Sequence, residues 1–219
     1  MRYKLVIFDF DGTLADTFSW FSRVLNTVAD RYNFKRIQAH EIEHLRGLSA
    51  REIIKHLGVP IWKLPHIARH MRALAAQDIE SIRLFGGVER MLQSLSEAGL
   101  HVAIVSSNSE ENVRRVLGPG LASRITYYAC GASMFGKPAK FRKVLKSSGI
   151  PPSEVICIGD EIRDHDAARA AGLVFGAVSW GYNDPDALRR MMPEAFFENP
   201  DQIVTMLVLG QITGSAPQK

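Results

Sequence analysis

The sequence predicts an α/β protein, a Rossmann-like, doubly wound parallel sheet with helices on both faces and a small all-helical segment inserted near its start. Three observations carry that prediction. From Phe85 onward, short apolar runs alternate with stretches of helical period, the pattern of strand–helix crossovers in a covered parallel sheet. Before Arg83 the apolar residues recur only at helical spacing, apart from one early run. That run, Leu5-Val6-Ile7-Phe8, is apolar without alternation, as a strand buried on both faces should be. A chain of 219 residues, 46% apolar, suits one compact domain with a modest insertion.

Taken in order, the first strand is followed by helices. Phe18, Phe21, Val24, Leu25 and Val28 share one helical face, as do Ile53, Ile54 and Leu57, and then Ile67, Met71, Leu74 and Ala75. Gly58-Val59-Pro60 and Leu64-Pro65 punctuate these runs. The alternating part predicts helix 87–98, strand 101–105, helix 109–117, strand 125–128, helix 138–148, strand 154–158, helix 162–171 and strand 174–178. A helix over 184–191, a short strand at Ala195-Phe196-Phe197 and a helix over 200–209 complete it. The expected organisation is a core of residues 1–15 and 84–219 around a helical insertion, 16–83. Leaving directly after the first strand, the insertion is placed over that strand's end, as a lid would be.

The bulk properties narrow the function. A net charge of +4 and a pI near 9.2 come without a Lys/Arg block, which favours small anions over nucleic acid as partners. Cys130 and Cys157 are too few for a disulfide framework, and Cys157 lies in an apolar run as a small buried hydrophobe. Four apolar residues between Lys4 and Asp9 fall short of a signal-peptide core, and no run approaches a membrane span, so a cytoplasmic, membrane-free protein is expected. The tail from Gly214 to Lys219 has no periodicity and reads as frayed. His66 and His70 have helical i, i+4 spacing without a third ligand, so zinc is not expected.

Asp9 and Asp11 stand at the end of the first apolar run, in Asp9-Phe10-Asp11-Gly12-Thr13-Leu14. Alternation lets both carboxylates face one crevice while Phe10 turns to the core, and two like charges so close call for a cation or a proton between them. Three further polar segments follow apolar strand patterns: Ser106-Ser107-Asn108, Phe135-Gly136-Lys137-Pro138 and Gly159-Asp160-Glu161-Ile162-Arg163-Asp164. A carboxylate such as Asp9 can act as a nucleophile without a base to activate it, with Asp11 as general acid and base. Ser106, the Ser107 amide and Lys137 suit a phosphoryl group. Asn108 and Ser109 suit helix capping, and Trp20, Phe21 and Trp62 suit packing in the lid.

With all four segments in chain order, the sequence resembles the haloacid dehalogenase superfamily of aspartate-nucleophile phosphatases from Lys4 to about Leu209. The resemblance implies that the first strand lies between those ending at Ser106 and Asp160. It implies the same roles for Asp9 and Asp11, and Mg2+ held by the Asp9 and Asp160 carboxylates and the Asp11 carbonyl, with Asp164 on metal-bound waters. Glu161 and Asp166 are not required by that pattern and read as solvated or capping residues. Arg46-Gly47-Leu48-Ser49-Ala50-Arg51 resembles a substrate-specificity loop, with Arg46 and Arg51 as candidate contacts to a carboxylate or sugar. The run from Ala177 to Tyr182 is similar to phosphoglycolate phosphatases, although Ser-Ser-Asn departs from their common Thr-Asn-Lys. The implied activity is hydrolysis of a small phosphorylated metabolite, phosphoglycolate-like, by a monomer or homodimer. The alternatives are a phosphosugar mutase of the same fold and a non-catalytic binding protein.

Overall fold

The computed structural model describes residues 2–131 and 136–210. Phe135 and the 214–219 tail, both read in the sequence, lie outside the described residues. Six parallel strands form the sheet in the order β5-β4-β1-β6-β7-β8. They are β1 (Leu5–Phe8), β4 (His101–Val105), β5 (Tyr127–Ala129), β6 (Val155–Gly159), β7 (Val174–Val178) and β8 (Ala195–Phe197). Among the described residues, two further strands, β2 (Ala15–Asp16) and β3 (Arg83–Leu84), pair with each other antiparallel. Two-residue strands carry no alternation, which is why the sequence pattern did not mark them.

Central β1 is buried along its whole length because both faces are covered. Val6 and Phe8 join Ile104 and Ile156 in one apolar layer, while Leu5 and Ile7 join Ala103, Val105 and Cys157 in the other. Helices α5 (Val88–Glu97), α6 (Glu110–Ala122) and α10 (Pro200–Leu209) contribute to the first layer. Helices α7 (Lys137–Ser148), α8 (Ile162–Ala170) and α9 (Pro185–Arg190) contribute to the second. Both cysteines are free, Cys157 fully buried. Helix α6 runs beyond its expected end at 117, past a break where Gly118 has φ 69° and Pro119 follows.

Register positions the site. Phe8 pairs with Ile104 on one side and Ile158 on the other, so the chain leaves β1, β4 and β6 side by side at their C-terminal ends. Chain order reverses between β1 and β6, the place where open parallel sheets form a ligand crevice.

Between β2 and β3 lie α1 (Phe18–Tyr32), α2 (Ile42–Arg46), α3 (Ala50–His56) and α4 (Leu64–Gln77), with short 3-10 turns. Asn33, in a left-handed conformation, ends α1 and donates its amide to Ala29 O. Ser49 and Glu52 start α3 with a reciprocal capping box. Trp20 is buried as expected and its indole donates to Asp78 at 2.9 Å, but Trp62 is 72% exposed rather than packed. Its 3-10 turn follows Pro60 and points the ring outward, with Lys63 over its face. Among the described residues, no helix is long and apolar enough to cross a membrane.

Candidate active site

Asp9 follows β1 directly, its amide donating to Ile158 O at 2.9 Å, so it sits at the same level as the end of β6. Asp160 follows β6, and Asp164 lies in the first turn of α8, where its carboxylate accepts from the Glu161 amide at 3.2 Å. One carboxylate oxygen from each of Asp9, Asp160 and Asp164 lies within 4.8 Å of the others, and all three residues are buried. Lys137, at the start of α7, sets its ammonium 2.8 Å from Asp9 Oδ2 and 2.5 Å from Asp164 Oδ1. Of the four sequence segments, three thus supply one compact cluster.

The fourth meets it through Asp11. Asn108 Nδ2 donates to both Asp11 oxygens, at 3.2 and 3.4 Å, and Ser106 Oγ donates at 3.4 Å. Asn108 therefore does more than cap α6, a task Ser109 performs by accepting from the Asn112 amide. Ser107 offers its carbonyl to Arg72 at 3.5 Å. Lys140 donates to Ser106 O at 2.6 Å and Gly131 O at 2.7 Å, fixing the loop after β4.

Asp160 is held on both oxygens, by Thr13 Oγ1 at 2.6 Å and by the Tyr182 amide at 2.7 Å. Gly12 has φ 82°, and a Cβ there would lie 2.2 Å from Asp160 Oδ2, so both its conformation and its space require glycine. A Cβ on Gly181 would fall equally close to Asp160, 2.2 Å from its Cβ.

Five carboxylates meet two cations here, and the titration of the acids reflects it. Burial and the charge of Asp9 push Asp11 up to about 6, against the hydrogen bonds from Asn108 and Ser106. Burial pushes Asp164 up to about 7, with Lys137 opposing it and Asp9 and Glu161 adding to it. Asp160 is raised well above the carboxylate range by burial, Glu161 and Asp164. Burial works against the charge of Lys137, yet Asp164 and Asp9 hold it protonated. An all-oxygen donor set with surplus negative charge fits a hard divalent cation such as Mg2+.

Glu161 does cap α8, but it is not merely solvated: its carboxylate pairs with the Arg163 guanidinium, beside Asp9 and Asp160. Arg163 Nε is buried without a hydrogen-bond partner. Sequence reasoning passed over this arginine, although it stands inside the same Gly159–Asp164 segment. Arg46 donates from Nε to Tyr182 O at 3.1 Å and from Nη2 to Gly181 O at 3.2 Å, and lies over the Phe18 ring. Asn183 joins the same contact, donating to Arg46 O at 2.6 Å and Leu48 O at 2.9 Å. The segment around Arg46 is thereby tied to the loop after β7. Arg51 is exposed and does not line the cavity described next.

A cavity of about 480 Å³ opens from Asp11, Asn108 and Arg163 and extends among α1, α3 and α4, with Phe18, Ile53 and Met71 on its wall.

The model of the haloacid dehalogenase-like hydrolases matches residues 6–178, from the second residue of β1 to the end of β7, and takes in every side chain of the carboxylate cluster. The chain belongs to this family. This hydrolase is 31% identical to the phosphoglycolate phosphatase of Synechococcus elongatus, over 94% of its own length and 99% of that protein's. Among solved structures, a chain from Lactobacillus plantarum superposes with a TM-score of 0.80 at 22% identity, covering 94% of the hydrolase and 100% of that chain. A haloacid dehalogenase-like family protein from Streptococcus pneumoniae superposes at 0.75 with 19% identity, covering 93% and 98%. Those two likenesses establish the fold; the family membership and the relative make the chain a hydrolase of the phosphatase type.

Proposed function

We propose that this hydrolase cleaves small-molecule phosphate monoesters by a Mg2+-dependent, two-step reaction through an aspartyl-phosphate on Asp9. The observation that carries the reading is the buried trio Asp9, Asp160 and Asp164 around one lysine, with a second, separately held acid, Asp11, facing the same space. Asp9 Oδ attacks phosphorus and the bond from phosphorus to the leaving oxygen breaks. Asp11, held by Asn108 and raised toward neutrality, gives its proton to that oxygen. In the second half Asp11 takes a proton from water, the water oxygen bonds to phosphorus and Asp9 is released. Ser106, the Ser107 amide and Lys137 hold the phosphoryl oxygens, the lysine also keeping Asp9 and Asp164 compatible with a dianion beside them.

Asp9, Asp160 and Asp164, with the Asp11 carbonyl, are the residues that would hold Mg2+; bound there, the ion supplies positive charge against which a phosphoryl group can approach a carboxylate. Residues 16–83 are read as a lid over this site, in keeping with the helices between β2 and β3 and the Arg46 and Asn183 contacts. The name of the Synechococcus relative, and the run from Ala177 to Tyr182, make phosphoglycolate the first ester to try.

The test is phosphate release by the full chain from phosphoglycolate, sugar phosphates and a chromogenic ester, with Mg2+ and with chelator. Metal-dependent turnover that disappears in Asp9→Asn, with folding retained, is expected. Turnover persisting in that variant would sink the nucleophile assignment.

A further inference from the structure

The cavity is larger and far less polar than a two-carbon acid requires. Its wall has two origins: the lining residues contributed by the core are polar apart from the ring of Tyr182, which packs on Phe18 and Phe21, whereas the helical segment lines it chiefly with side chains such as Phe18, Phe21, Leu25, Ile53 and Met71. The arginines at the boundary are engaged, Arg46 with carbonyls of the loop after β7, Arg72 with Ser107 O and Arg163 with Glu161. Asn26 spends its amide on the backbone of Ile37 in both directions, and Ser22 adds a hydroxyl to the wall.

Packing within the segment points the same way. Helix α3 has no buried residue, and its Ile53 and Ile54 are only half-buried although both face inward; Phe21, Ile67 and Met71 are likewise half-buried. Phe21 and Met71 pack on the core with one side, and all five line the cavity with another. At about 480 Å³, the space is many times what a single water needs, and an apolar wall offers waters few partners. The size falls within the range of cavities that enclose a drug-sized ligand.

We propose that the preferred substrate is a phosphate monoester of a bulky apolar alcohol or phenol, its phosphate at Asp9 and its hydrocarbon body in this chamber. The inference rests on the phosphatase reading and, within it, departs from phosphoglycolate. Binding energy from the hydrocarbon body, remote from phosphorus, then sets selectivity. Because that body contacts the same wall in ground state and transition state, the gain appears mainly as a lower KM.

The experiment measures kcat and KM of the full chain, with Mg2+, for phosphoglycolate and a series of n-alkyl phosphates from ethyl to decyl, with 2-naphthyl phosphate. Expected is a rise in kcat/KM of about threefold to fourfold per buried methylene until the chamber is full, carried by KM, with decyl or naphthyl phosphate at least 100-fold better than phosphoglycolate. Filling the chamber through Ala68→Phe, or separately Ile53→Trp, lowers the decyl-to-ethyl ratio of kcat/KM at least tenfold. A flat dependence on chain length, or phosphoglycolate as the best ester, overturns the inference and leaves the phosphatase reading standing. Absence of turnover on every ester overturns both.

Discussion

Replacing Lys137 by Met removes the cation between Asp9 and Asp164 while keeping side-chain length. The lysine is 10% exposed at its side chain and makes two ion pairs, at 2.8 and 2.5 Å. Breaking a buried pair from one side costs about 3–5 kcal/mol, because the partner charges stay buried. The acids can escape part of that cost by taking up a proton. Asp164 already titrates near 7 with Lys137 beside it, above its ordinary value of 3.8, and without the lysine it moves higher. A raised carboxylate binds more protons folded than unfolded, so stability falls as pH rises from the unfolded value to the folded one and is level above it. In the parent protein that fall ends near pH 7; in the variant it continues, widening the gap by about 1.4 kcal/mol per pH unit. Urea unfolding in chelator should therefore show a loss of about 3 kcal/mol near pH 6.5 and about 5 kcal/mol near pH 8.5. A loss under about 1 kcal/mol, or one independent of pH, would refute the claim that Lys137 balances these two carboxylates.

Three other outcomes are expected. Gly12→Ala, with φ 82° and a Cβ 2.2 Å from Asp160 Oδ2, should abolish most turnover and lower stability by about 2–4 kcal/mol in thermal melts, whereas Gly58→Ala, at φ 65° with nothing within 4 Å, should cost only about 1–2 kcal/mol; equal effects would show that Asp160 tolerates displacement. Burial and Glu110 push the Cys130 thiol up to about 11, and burial pushes Cys157 higher still, so a disulfide reagent near pH 8 should modify Cys130 roughly 100-fold more slowly than free cysteine, faster as pH rises toward 11, with both thiols reacting after denaturation. Arg163→Gln, which leaves Glu161 without its guanidinium, should raise KM for any phosphate ester by on the order of tenfold to a hundredfold, and an unchanged KM would make the pair purely structural.

Much of this arrangement could be read from the chain because its signals are local. Continuous apolar runs marked β1, β4, β6 and β7, and the segments of Asp9, Ser106 and Asp160 follow their strands at once, so strand ends and chemistry were found together, whereas Lys137 comes later, at the start of α7. Boundaries slipped where local cues conflicted: β5 begins two residues late, and Gly118-Pro119 looked like the end of a helix that in fact continues beyond a break. What stayed hidden depends on distant partners. Nothing near Asn108 in sequence announces that its amide will hold Asp11, and the neighbours of Arg163 do not reveal that Asp9 lies across from it. Arg46 looked available for substrate, yet its guanidinium is spent on carbonyls some 135 residues away in sequence. The chamber was invisible for the opposite reason, since apolar residues at helical spacing read the same whether they pack together or surround space.

The pairing of β2 with β3 bears on how such a protein can diversify. Ala15 faces Leu84 and Asp16 faces Arg83 in a small antiparallel pair apart from the six-stranded sheet, so the chain from Thr17 to Ile82 leaves and returns at neighbouring positions. The six-stranded sheet takes no strand from that stretch, although Trp20, Ala75, Ile79 and Ile82 pack into the same apolar layer as Val6 and Phe8. Side chains of the inserted helices that line the cavity, such as Ile53 and Ala68, lie outside the strands whose register aligns Asp9 with Asp160. On the proposed reading, the reaction and the choice of molecule it acts on rest on separate stretches of chain, and a new wall for the chamber is reachable by mutations that leave the carboxylates untouched.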